Sequence, residues 1–327
     1  VDKQQCLDMA TAIINGNPPD DATYAELARM PEQNVLDMLP GADAIREHFF
    51  GRSVHLCCIL NAKSGKCGED CAFCAQSAYA RTDAQIYPLM DSEEIRKGVQ
   101  YAKANRIHRF SVVTSGGRLS GKAVARLAGA MASMSNTDVR FCASLGTLGA
   151  TDFEVLKRAG ITRYHHNLET AESHFEKICT SHAYADRVET IRAAKRSGMR
   201  VCAGGLFGIG ESDEQVLELG MALRHLDVDA VPVNFLIPVS GTRLEKIPRI
   251  SALRCLKIIA LLRYLLFDKP IIVCAGRTTH LGRYHDRVFQ AGASGIMTGN
   301  YLTAPGRNPS DDHAMIRGLG FVPCSGN

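Results

Sequence analysis

No run of apolar residues in this sequence is long enough to cross a bilayer, so a membrane-spanning protein is not expected. The opening stretch VDKQQCLDMATAII has neither the basic nor the apolar region of a secretory signal, and the expected compartment is the cytoplasm. A basic block is missing too. The formal net charge of +4 is spread along 327 residues, which gives no footing for nucleic acid or an anionic membrane surface. Nor does any low-complexity stretch mark a linker between domains. Cysteine, by contrast, is plentiful. Twelve thiols in a chain that is 46% hydrophobic do not read as a disulfide framework, because such a core needs no staples and a reducing compartment keeps thiols free. Metal binding is the better account of them.

Residues 1–50 read as polar helices broken by turns such as NGNPPDD and LPGAD, forming a helical extension without a metal or phosphate motif. Over residues 51–300 short apolar or β-branched runs alternate with amphipathic stretches, eight times in all. The strand candidates are 54–62, 108–115, 139–145, 161–167, 200–208, 230–236, 271–276 and 294–299. Two intervening helices open with capping boxes, Asp91 with Glu94 and Ser212 with Gln215. Eight βα units predict an α/β fold, a (β/α)8 barrel of the TIM type. A doubly wound sheet stays open, since periodicity does not show closure. Residues 301–327 read as a C-terminal loop and short helix.

The stretch SGKCGEDCAFCAQS, residues 64–77, carries Cys67, Cys71 and Cys74 directly after the first strand candidate. In a barrel that position is the C-terminal mouth, where active sites are built. Structural zinc usually takes four protein ligands, and no fourth stands beside these three. Three thiolates suit a 4Fe-4S cluster with one iron left open for a small molecule. Unligated thiols and zinc remain alternatives on spacing alone.

The pattern C-x3-C-x-aromatic-C, with Phe73 as the aromatic residue, resembles the radical S-adenosylmethionine (SAM) superfamily. The segments KSGKCGEDCAFCAQS, RFCASLG, YHHNLET, CAGGLFGIGES, NFLIPVSGTRLE and AGASGIMTGNYLTAPG together resemble the biotin synthases, from about residue 54 to the C-terminus. The resemblance implies a sulfurtransferase that turns dethiobiotin into biotin. It would use SAM-derived radicals and a sulfur atom from a second, auxiliary iron–sulfur cluster. It further implies a low-potential electron donor such as flavodoxin or ferredoxin, and a homodimer. By similarity, Cys67, Cys71 and Cys74 hold the SAM cluster, Thr114 and Ser115 shape the methionine site, Arg187 faces the SAM carboxylate and Glu169 reaches the ribose. Asn167 and Asn234 match residues that hold the substrate's ureido ring and the ribose region, and Thr303 lies near the valeryl carboxylate.

The chain departs from the commoner family pattern at the auxiliary cluster. Cys142 and Cys202 match two ligands, but Ser111 stands where a cysteine is usual and Ile272 where an arginine is usual. Cys274 lies two residues beyond Ile272, on the same strand face, and Cys57 or Cys58 adds a thiol on the first strand. These four fall on the first, third, fifth and seventh strand candidates, and alternate strands fill one interior layer of a barrel. The expectation is an all-cysteine, four-iron auxiliary cluster held by Cys57, Cys142, Cys202 and Cys274, with Cys58 as the alternative to Cys57. A related radical enzyme of methylornithine synthase or hydrogenase-maturation type, or an iron–sulfur electron carrier, would share parts of this pattern. His165 and His166 point to opposite strand faces and are expected to be structural, and GIG at 208–210 is a weak phosphate-loop signal. Cys6, Cys179, Cys255 and Cys324 carry no expected role.

Overall fold

The computed structural model describes residues 1–134 and 137–324. Its strands are β1 (Ser53–Lys63), β2 (Arg109–Thr114), β3 (Arg140–Ser144), β4 (Ile161–His165), β5 (Arg200–Cys202), β6 (Gly205–Phe207), β7 (Val231–Phe235), β8 (Ile271–Val273), β9 (Gly295–Met297) and β10 (Val322–Pro323). Every ladder is parallel, and helices occupy the crossovers, among them Ser92–Ala104, Gly121–Ala132, Ala150–Arg158, Tyr184–Arg196, Asp213–His225 and Ala252–Leu265. Both capping boxes form at their helix starts.

Hydrogen-bonded neighbours run β5-β4-β3-β2-β1-β9-β8-β7-β6. The two ends of that path are halves of one strand candidate, 200–208. The seam is crossed by the bridges Cys202 with Ala230 and Glu169 with Gly205, so the sheet curls into a barrel with eight strand positions. A doubly wound sheet would leave open edges there. The fifth position is split at Ala203–Gly204, where a Cβ on Gly204 would collide with the Pro232 carbonyl oxygen. Backbone meets backbone at that point, which only glycine permits.

Alternation along β1 buries Val54, Leu56 and Cys58 against the helices and turns His55, Cys57 and Ile59 inward. On β2, Phe110, Val112 and Thr114 are buried, while Arg109, Ser111 and Val113 line the interior. Cys274 sits one residue past the end of β8, though its amide still donates to the Val233 carbonyl at 2.8 Å.

Helices Asp21–Ala28 and Leu39–Phe50 lie outside the barrel against helix Ala252–Leu265, most of which is buried as a result, and helix Lys3–Ile14 packs on Leu39–Phe50. Tyr264 ties them down, its hydroxyl bonded to the carbonyls of Cys6 and Met38. At the other end helix Pro309–Gly318 docks through a fully buried ion pair, Arg277 with Asp312 at 2.9 Å. The chain then adds β10 beside the start of β1, a strand not anticipated in the C-terminal segment because two residues carry no periodicity. No helix among the described residues is long and apolar enough to cross a membrane.

Candidate active site

The three-cysteine loop leaves β1 at the C-terminal mouth of the barrel and is fixed mainly by its own polar groups. The Cys67 amide donates to Gln76 O at 3.0 Å, Ala78 N to Cys67 O at 2.7 Å and Cys74 N to Cys71 O at 3.0 Å. The Gln76 side chain accepts from Ser64 Oγ at 3.0 Å and Asn61 Nδ2 at 3.3 Å, tying the loop back to the strand. Burial pushes the Cys71 thiol well above its ordinary range and the Cys74 thiol up to about 11. Binding iron would have to displace those protons.

Asp70, between the first two cysteines, clasps residues 179–181. Its carboxylate accepts from the Thr180 amide at 2.9 Å, the Ser181 amide at 3.0 Å and Thr180 Oγ1 at 2.5 Å. Burial opposes its ionisation, but these hydrogen bonds and one from Cys179 hold the carboxyl well below the usual range. Cys179 Sγ is thereby 3.8 Å from Cys71 Sγ, a proximity absent from the sequence reading. Beside it, Arg187 Nε donates to His182 Nε2 at 3.0 Å, which places the ring proton on Nδ1, donating to Glu69 Oε2 at 2.6 Å. Ligand atoms of Glu69, Cys179 and His182 lie within 4.8 Å of one another, a spacing that metal donors also adopt. The nitrogen nearest the other two is the protonated one, so the trio works as a hydrogen-bond relay from the cysteine loop to Arg187.

Arg187 Nη1 in turn donates to the Asn167 carbonyl at 2.9 Å and lies 3.5 Å from Glu169 Oε1. Glu169 has φ 70, a left-handed backbone rare for a residue with a Cβ and frequent at functional sites. Asn167 Nδ2 donates to Glu169 Oε2 at 3.3 Å, and Asn167 Oδ1 accepts from Gly204 N at 3.2 Å.

Below the loop, the barrel encloses a cavity of about 360 Å³. Phe73, Cys74, Asn167, Glu169, Asn234 and Thr303 border it towards the mouth. Asn234 is already engaged, its Nδ2 donating to Gly205 O at 3.3 Å and its Oδ1 accepting from Ala275 N at 3.3 Å, with one hydrogen and one lone pair left over. Cys67, Cys71, Thr114, Ser115 and Arg187 are outside this wall. Thr114 Oγ1 is buried without a partner, whereas Ser115 Oγ donates to Gly65 O at 2.9 Å.

Cys57, Cys142, Cys202 and Cys274 line the deep end of the same cavity, with Ser111, Ile272, Arg109 and Arg163. The neighbouring Cys57 and Cys274 thiols act on each other so that Cys57 is held low and Cys274 high, and Cys274 Sγ donates to the Ile272 carbonyl at 3.3 Å. Burial pushes Cys202 up to about 12. Cys58 also borders the cavity, but it packs in the outer core near Tyr101. His165 lines the cavity, held neutral by burial, while His166 packs against Tyr164.

The GIG stretch is no open phosphate cradle. The Gly208 and Ile209 amides donate to the Glu211 carboxylate at 3.0 and 2.8 Å, so an internal anion fills it.

Comparison with known proteins agrees with this geometry. The Radical SAM superfamily model matches residues 62–221, and that of the Biotin and Thiamin Synthesis associated domain matches residues 232–322. The chain is 64% identical to a biotin synthase of Desulfatibacillum aliphaticivorans, over 98% of each sequence. It is 44% identical to one from Geobacter sulfurreducens, over 97% of this chain and 98% of the relative. Among solved structures, methylornithine synthase superposes with a TM-score of 0.84 at 20% identity, covering 97% of this chain and 98% of that one. The hydrogenase maturase HydG does so at 0.84 and 18%, covering 99% and 77%. These two share the fold. The full-length relatives decide the family: the chain belongs to the biotin synthases, within the radical SAM superfamily.

Proposed function

We propose that the chain inserts sulfur into dethiobiotin to form biotin, with Cys67, Cys71 and Cys74 as ligands of a SAM-binding 4Fe-4S cluster and Cys57, Cys142, Cys202 and Cys274 as ligands of an auxiliary four-iron cluster. One observation carries this reading: a single cavity has a cysteine of the mouth loop at one end and four inward cysteines at the other. Both sets fit the groups assigned to them. Three thiols on a loop leave one iron without a protein ligand, and four thiols beside one buried and one half-buried guanidinium, Arg163 and Arg109, suit an anionic all-thiolate cluster. Cluster and SAM together, when bound, supply one-electron cleavage of the sulfonium to a 5′-deoxyadenosyl radical.

The chain's own residues then bind and orient. Arg187, held by His182 and the Asn167 carbonyl, presents its guanidinium to the SAM carboxylate, with Thr114 and Ser115 near the methionine portion. Glu169 and Asn167 offer acceptor and donor to the ribose. Phe73, Ile178, Leu206, Ile209 and Leu236 form an apolar patch beside the loop. Asn234 uses its spare hydrogen-bond capacity on the ureido ring, and Thr303 meets the valeryl end. Barrel walls keep water and stray hydrogen donors from the radical. A flavodoxin- or ferredoxin-like donor supplies electrons, and the working unit is a homodimer.

The test is anaerobic turnover of the reconstituted protein with SAM, a reductant and dethiobiotin, read by mass analysis. Biotin together with 5′-deoxyadenosine is the expected result. Deoxyadenosine with dethiobiotin untouched would overturn the substrate, and no SAM cleavage would overturn the radical reading.

A further inference from the structure

Three arginines are wholly or almost wholly buried elsewhere in the fold, and each has oxygen partners. Arg277 meets Asp312, Arg263 donates to the carbonyls of Gly292, Leu266, Phe267 and Lys269, and Arg46 meets Asp43 and the Gly51 carbonyl. Two arginines at the barrel floor differ. Arg163 is 7% exposed and, although Arg263 Nη2 and Arg277 Nε are also unpartnered like its Nε, it alone of the buried arginines meets no oxygen partner with its other nitrogens among the described residues; Arg109, on β2, directs Nη1 to Cys142 Sγ at 3.3 Å. Among the described residues no carboxylate forms an ion pair with either.

Both occupy the cysteine layer. In the ladders Arg109 stands opposite Cys57 and Arg163 opposite Cys142, and both side chains line the cavity beside Cys202. Beneath them His55 Nδ1 and His108 Nε2 are 3.1 Å apart, one ring hydrogen-bonded to the other. A guanidinium cannot be neutralised by losing its proton at ordinary pH and is costly to bury without an anion. Four thiolates around a resting four-iron, four-sulfide core leave two net negative charges, which two guanidiniums match.

We propose that Arg109 and Arg163 are the counter-cations of the auxiliary cluster: positioning residues that donate hydrogen bonds to its sulfurs and raise its reduction potential. This rests on the four-cysteine reading given above. Fixed positive charge beside the iron favours any step that leaves an added electron there, as forming a carbon–sulfur bond between a substrate radical and a cluster sulfide does. Hydrogen bonds to sulfur act in the same direction.

The experiment uses the full chain with Cys67, Cys71 and Cys74 changed to Ala, reconstituted anaerobically so that iron reports only the deep site. Redox titration followed by electron paramagnetic resonance compares this parent with Arg163→Met and Arg109→Met. The expected result is retained iron and a midpoint displaced to lower potential in each, with Arg163→Lys restoring most of the shift. An unchanged midpoint with full iron overturns the counter-cation role and leaves the cluster reading standing. No iron in the parent overturns the cluster reading itself. Where Met at 163 costs the iron, iron kept by Arg163→Lys supports the proposal, and iron lost from both folded variants overturns it.

Discussion

The two cysteine sets are held by opposite means. At the mouth, Cys67, Cys71 and Cys74 lie in an irregular loop whose shape depends on side chains: Gln76, Asp70 and the Glu69–His182–Arg187 relay. At the floor, Cys57, Cys142 and Cys202 stand on strands and Cys274 just beyond one, placed by ladder register and burial. A loop site announces itself by local spacing. A strand site is assembled by topology, from residues as far apart in sequence as Cys57 and Cys274.

The largest effect expected is at the mouth. If the mouth cysteines hold the proposed cluster, Cys71→Ala leaves it two thiolates, and SAM cleavage should fall to background, read as 5′-deoxyadenosine per chain. Turnover at the parent rate would remove the radical assignment. Cys274→Ala is the matching change at the floor. It should abolish biotin formation and the deep-site iron while the mouth still cleaves SAM, and equal loss of both activities would mean that the sites are not separate.

This contrast also explains what was legible in the sequence. Closure of the sheet is set by long-range pairing, whereas the mouth cysteines, the eight alternating βα units and the two capping boxes follow from local patterns. The split of the fifth strand did not, because it depends on Gly204 meeting Pro232 across a ladder. Cys179 looked inert because its neighbours, Asp70 and Cys71, arrive from more than a hundred residues away. Arg109 and Arg163 passed unnoticed because a charged residue on a strand ordinarily faces water, and only barrel closure turns it inward.

The relay connects the mouth loop to Arg187, the guanidinium proposed to face SAM, so its removal should be felt as affinity. Glu69→Gln or His182→Phe takes away a charge-assisted hydrogen bond worth about 1.5–3 kcal/mol. SAM affinity should drop roughly ten- to a hundredfold, with cluster iron kept. Binding isotherms read this directly, and unchanged affinity would confine the relay to holding the loop. Asn234→Ala should weaken dethiobiotin binding by about 1–3 kcal/mol, with SAM binding intact, because its amide sits deeper than the relay.

The smallest effect is expected from the cysteine next to the deep site. Cys57 and Cys58 are adjacent in sequence, but the strand alternation sends their side chains to opposite faces, one to the cavity and one to the helix-facing core. Burial raises the Cys58 thiol well above its ordinary range, as it does Cys71 and Cys202, so what sets Cys58 apart is the helix-facing core it packs in, where it serves as a small apolar side chain. Cys58→Ala therefore removes one buried sulfur and a little packing, a cost of about 1 kcal/mol. The melting temperature should fall by only about 1–2 °C for a chain of this size, while deep-site iron stays at the parent level. Cys57→Ala in the same background should lose that iron. The reverse outcome, iron lost with Cys58 and kept without Cys57, would mean that the strand presents its other face to the cluster, and every inward assignment on β1 would have to move by one residue.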